Sequence, residues 1–135
     1  MLFAVLALFL AACNNVPDEP LVGTWEESGK SFMKVLDFHE DGTLVYYEKP
    51  GQTTGGMPDE AGEFASMHYE VIDNTLYFSG EEIYLSDGIK WDTIPYAFSS
   101  DFRIKGKMLT IDSFAYVWYF EGLQKRTYHL KLYKK

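Results

Sequence analysis

A chain of 135 residues with one cysteine is long enough to enclose a single core and has no second thiol for an internal disulfide. Its formal charge of −8 repels nucleic acid and anionic headgroups, and the small cluster Lys131, Lys134 and Lys135 does not reverse that, so no nucleic-acid partner is expected. Aromatic residues make up 17% of the chain, and they sit in short segments rich in Val, Ile, Thr and Leu, which is strand composition.

Taken in chain order, the first element is an uncharged apolar run at residues 2–10, too short to span a bilayer, followed by Leu10-Ala11-Ala12-Cys13. It has the form of a secretory h-region with a small-residue cleavage site. Two features bear on that reading. Met1-Leu2-Phe3 lacks the Lys or Arg of an ordinary leader, which a start codon further upstream would supply. The competing reading, a buried free thiol, is opposed by the polar, proline-bearing stretch Asn14-Asn15-Val16-Pro17-Asp18-Glu19-Pro20, which cannot continue a helix from the apolar run. The four residues ending at Cys13 resemble a bacterial lipobox. That resemblance implies attachment of diacylglycerol to the Cys13 thiol, cleavage before it and a further acyl chain of the palmitate type on the new N-terminus. Since each buried methylene contributes about 0.8 kcal/mol and two chains anchor stably, the expectation is a lipoprotein of the cell envelope, held at the outer membrane of a Gram-negative-type bacterium on its periplasmic or surface face. The chain then divides into a signal peptide at 1–12, a tether at 13–20 and one domain at 21–135.

A strand is predicted over 22–26, and three hairpins follow. Around Asp41-Gly42, Phe38 is expected opposite Val45 and Leu36 opposite Tyr47, although Met33, Val35, Leu44 and Tyr46 make the other face apolar too. That outer face is expected to lie under the N-terminal segment or a partner. Around Asp73-Asn74, Val71 should face Leu76, Tyr69 face Phe78, and Glu70 pair with Tyr77 outside. Around Gly106-Lys107, Ile104 should face Leu109 and Phe102 face Ile111, with Arg103 and Thr110 outward. Further strands are predicted at 83–85 and 89–94 about Asp87-Gly88, at 114–120 and at 127–133. The stretch 50–62, with Gly55-Gly56 and Asp59-Glu60, is predicted to be a long loop. About eight to ten short strands at even spacing point to an all-β, antiparallel up-and-down barrel.

Leu21-Val22-Gly23-Thr24-Trp25, followed by Phe38, Asp41, Gly42 and Thr43 in a Phe-x-x-Asp-Gly-Thr hairpin, resembles the lipocalin-like domains of bacterial secreted lipoproteins. The resemblance implies that Gly23 bends the chain into the barrel floor, that Trp25 closes that end, and that a basic residue near the last strand covers the indole, for which Arg126 is the candidate. The Thr-Asp-Tyr motif, disulfide and C-terminal helix of typical lipocalins have no counterpart here, so fold transfers more safely than function.

Catalysis has little support. His39, His68 and His129 fall on separate predicted strands, no nucleophile motif is present, and Asp37, His39 and Asp41 read as a solvated hairpin tip rather than a metal site. Glu81-Glu82 and Asp59-Glu60 read as exposed loop charges. No cofactor, no metal and no enzymatic activity are therefore expected. Phe38, Tyr47, Tyr69, Phe78, Phe102, Tyr116, Trp118 and Tyr128 are the candidate interior residues, while Trp91, Tyr96 and Phe98 near Pro95 are candidates for an exposed platform. Two functions follow from the interior. If it holds a cavity, the barrel binds a small hydrophobic ligand; if side chains fill it, the barrel is a non-catalytic interaction or accessory module of an envelope protein complex.

Overall fold

The computed structural model describes residues 20–50 and 63–135. The expected leader, Cys13, nearly all of the expected tether and the 51–62 stretch lie outside the described residues. Eight antiparallel strands run in sequence order around a closed up-and-down barrel: β1 (Gly23–Glu26), β2 (Phe32–Phe38), β3 (Thr43–Pro50), β4 (Phe64–Ile72), β5 (Thr75–Ser86), β6 (Lys90–Lys105), β7 (Met108–Tyr119) and β8 (Leu123–Lys134). The pieces predicted at 83–85 and 89–94 belong to two long strands, β5 and β6, which pair without a break from Thr75↔Asp101 to Ser86↔Lys90.

Two of the three hairpins have the expected register. Asp73 (φ 55°) and Gly106 (φ 62°) take the left-handed backbone that a two-residue corner needs. Val71 faces Leu76, Tyr69 faces Phe78, Ile104 faces Leu109 and Phe102 faces Ile111. The first hairpin is one residue out of the expected register. Phe38 faces Leu44 and Leu36 faces Tyr46, not Val45 and Tyr47. Its loop has three residues rather than two: the Gly42 N–H donates to His39 C=O (3.2 Å), Gly42 then takes φ 88°, and the His39 N–H donates to Thr43 C=O (2.9 Å). The extra residue exchanges the two faces of β3, so Tyr46 points inward and Tyr47 outward. Leu36, Phe38, Leu44 and Tyr46 thereby join one core, while Val35, on the opposite face, is nevertheless buried.

Strand alternation sends one side chain in two to the interior, and the rings there pack on one another. Phe38 meets Tyr69 edge-on at 5.0 Å, Phe78 stacks on Phe98 at 4.6 Å, and Phe114 touches Tyr46 (4.9 Å), Phe78 (5.4 Å) and Phe98 (5.6 Å). Trp25, Phe38, Tyr46, Phe78 and Phe114 are fully buried, each such apolar side chain contributing about 1.5–3 kcal/mol. β6 pairs with β7 only from Phe102↔Ile111 to Lys105↔Met108, and β7 then shifts register against β8 between Ile111 and Phe114. Above that point the wall is held by side chains: Ser113 N–H donates to Ser100 Oγ (2.8 Å), and Tyr84 of β5 stacks on Tyr119 of β7 at 4.3 Å. Because consecutive strands alternate direction, the β2–β3, β4–β5 and β6–β7 turns share one end of the barrel, while the β1–β2, β5–β6 and β7–β8 connections share the other, its mouth.

Candidate functional site

The turn end is stoppered by Trp25. Its Nε1–H donates to Leu21 C=O (2.8 Å), tying the ring to the segment that enters the barrel. The cation over the indole is Lys134, with Nζ 5.2 Å from the ring centroid and donating to Pro20 C=O (3.1 Å) and Val22 C=O (2.9 Å). The Arg126 assignment is thus corrected, because closing β8 onto β1 pairs Trp25 with Lys134, placing Arg126 further up β8. Gly23 has φ 126°, and a Cβ there would stand 3.2 Å from Lys134 Cε, so both backbone and clearance call for glycine. Beside this stopper the Tyr69 hydroxyl donates to His39 C=O (2.6 Å); burial, then the charges of Asp41 and Glu40, push Tyr69 up to about 12.

Toward the mouth the inward rows turn polar. On β2 the order is Phe38, Leu36, Lys34; on β3 it is Leu44, Tyr46, Glu48; on β8 it is Leu132, Leu130, Tyr128, Arg126. These ends converge on Glu63, just before β4. Tyr46 OH donates to its Oε2 (2.7 Å), Tyr128 OH to Oε1 (2.8 Å), and Arg126 Nη1 to Oε1 (3.2 Å). Tyr46 OH also lies 3.3 Å from Glu48 Oε1, and Lys34 Nζ sits 3.9 Å from Glu48 and 4.3 Å from the Tyr128 ring. Glu27, itself buried, receives Lys30 Nζ (2.6 Å) and the Lys34 N–H (2.9 Å). Burial, then the neighbouring charge of Glu63, raises the Glu48 carboxyl above its ordinary value. Burial and the hydrogen bond to Glu63 raise Tyr46; burial, opposed by the Arg126 hydrogen bond and reinforced by Glu63, pushes Tyr128 up to about 12. On the other wall burial raises Glu82, and burial with the Glu82 charge pushes Tyr96 up to about 12.

This arrangement is a latch: the Glu63 carboxylate, just before β4, accepts from the Tyr46 hydroxyl of β3 and the Tyr128 hydroxyl of β8 and so ties three parts of the wall together. Glu82 lies on β5 among the inward residues and Glu81 outward on the same strand, which corrects the expectation of two loop charges. At the first hairpin tip Asp41 is occupied by the Thr43 N–H (3.0 Å) and hydroxyl (2.6 Å), and Asp37 by Thr24 and His39.

The structure places the eight candidate interior residues in three groups. Phe38, Tyr69, Phe78 and Phe102 are buried in the core; Tyr116, Trp118 and Tyr128 stand in the mouth, with Arg126 5.6 Å over Trp118; Tyr47 faces outward, the consequence of the shifted register. Of the platform residues only Trp91 is exposed, at 69%, whereas Tyr96 and Phe98 turn inward and Tyr96 lies across Gly80. Sequence reasoning missed Tyr46, Glu48, Glu63, Lys34 and Lys134. Extending the inward alternation of β2, β3 and β8 to the strand ends finds all of these except Glu63. No protein-family model, no curated protein and no solved structure matches this chain.

Proposed function

We propose that this chain is a lipid-anchored envelope lipoprotein whose barrel is filled and serves as a non-catalytic interaction module of an envelope assembly. The observation that supports this over uptake of a small hydrophobic ligand is the ring-on-ring interior, in which Trp25, Phe38, Tyr46, Phe78 and Phe114 are fully buried and four of them are in ring contact with other core aromatics. Four clefts among the described residues are lined chiefly by outward-facing side chains of the wall and its turns. An accessory module presents its outer surface, and its core only needs to hold that surface in shape. Anchoring rests on Leu10-Ala11-Ala12-Cys13 and the tether after it.

Two measurements test the reading. Mass spectrometry of the membrane fraction should find a chain that begins at an acylated Cys13; an unmodified Cys13 with the first twelve residues still attached contradicts the anchor. Titration with a fluorescent fatty acid should leave the emission of Trp25 and Trp118 without a saturable change. Saturable quenching would instead support the ligand-binding barrel.

A further inference from the structure

The outer face of β4, β5 and β6 has a stepped profile. One cross-strand row consists of His68, Ser79 and Ala97, all exposed and small apart from the histidine. Below it Tyr77 stands between Glu70 and Ser99; above it Glu81 pairs with Pro95, Ile83 with Thr93, and Leu85 with Trp91. Low side chains between taller ones make a channel. Two adjoining grooves, of about 940 Å³ and 520 Å³, both have His68, Ser79 and Ala97 in their linings. The channel runs toward an apolar tip at which Ile83 is 62%, Ile89 87% and Trp91 69% exposed. Large apolar groups gathered at one tip beside a groove mark an interaction site.

Charge selects among occupants. No Lys or Arg is among the described residues lining either groove, while Glu81 borders one and Glu70 the other. A second copy would bring acid against acid on a chain of net charge −8, and an anionic bilayer would be repelled in the same way. Extension of the sheet by an added strand is also disfavoured, since Pro95 lacks a backbone donor in the stretch of β6 that has no β7 partner. We infer that this face docks a segment of a partner protein that carries apolar side chains flanked by Lys or Arg, its apolar groups seated over Ser79 and Ala97 and against Leu85 and Trp91, its cations beside Glu70 and Glu81.

The inference rests on the reading of the barrel as an interaction module but fails separately from it, because fatty-acid uptake tests the interior and the following test addresses the wall. Full-length protein in mild detergent is titrated with a labelled synthetic peptide of alternating Lys and Val, with its Glu and Val counterpart, and with phosphatidylcholine and phosphatidylglycerol vesicles, and its oligomeric state is followed by sedimentation. The Lys and Val peptide should bind saturably, and Ala97→Arg, Glu81→Lys and Trp91→Ala should each weaken it by about tenfold or more. Near-ultraviolet circular dichroism confirms that each variant is folded; Trp91→Ala, at an exposed position, carries the test if Ala97→Arg does not fold. The inference is overturned if the peptide does not bind, if it binds the folded variants as well as the parent, if the acidic peptide or vesicles bind better, or if the same substitutions abolish a dimer.

Discussion

The two ends of the barrel are held by different chemistry. At the turn end Trp25, Tyr69 and Lys134 all donate to backbone carbonyls, of Leu21, of His39, and of Pro20 and Val22. At the mouth Tyr46, Tyr128 and Arg126 donate to one carboxylate, with Glu48 and Lys34 alongside. Carbonyl acceptors do not titrate, so the first end keeps its bonds across the pH range in which the acids of the second change charge. A stopper is therefore built into one end and a charge-dependent latch into the other.

The largest effect should come from breaking the stopper. Trp25→Ala removes a fully buried ring and the bond to Leu21 and should cost about 3–5 kcal/mol in denaturant unfolding. Next is a paired test of the register that separates inward from outward on β3: Tyr46→Ala should cost about 3 kcal/mol or more, and Tyr47→Ala about 1 kcal/mol or less. The reversed order, with Tyr47→Ala costing more than Tyr46→Ala, would mean that the expected two-residue corner at Asp41-Gly42 was right after all. Lys134→Met, which keeps the stem but loses the charge and both carbonyl bonds, should cost about 1–3 kcal/mol, whereas Arg126→Met at the exposed rim should cost about 1 kcal/mol or less.

The smallest effect is at the mouth and appears as pH dependence. The folded state raises the Glu48 carboxyl above its model-peptide value of 4.5, so the folded protein holds that proton more tightly than the unfolded chain. The associated stabilisation is complete below the unfolded value and is lost as pH rises through the higher folded value. Glu82, raised by burial, acts with the same sign. Thermal unfolding of Glu48→Gln should therefore show a flatter decline of stability above pH 4.5 than the parent protein. A steeper decline would reverse the assignment.

How far the fold was legible depended on turn chemistry. Asp73-Asn74 and Gly106-Lys107 are two-residue corners whose flanking residues alternate cleanly, so their registers followed from the turns alone. At the first hairpin Asp41-Gly42 looks like the same signal, but Gly42 ends a three-residue loop, and the neighbouring Tyr46 and Tyr47 give a hydrophobic pattern nothing with which to choose between faces. The stopper was half legible. Gly23 and Trp25 stand in a recognisable motif, but the choice of Lys134 over Arg126 depends on the pairing of the first strand with the last, which no local pattern encodes. Glu63 was hidden for a related reason: it meets Tyr46, 17 residues earlier, and Tyr128, 65 residues later, only once the sheet has closed.

The central claim is that side chains fill the inside of this barrel. The most direct test is the chemical shift of dissolved xenon-129 as protein is added, read with the methyl resonances of Leu36, Leu76 and Leu130, which lie in the core. A filled interior predicts a shift that grows linearly with protein concentration and leaves those methyls in place. A saturable shift that moves them would reveal a void among the rings and contradict the account.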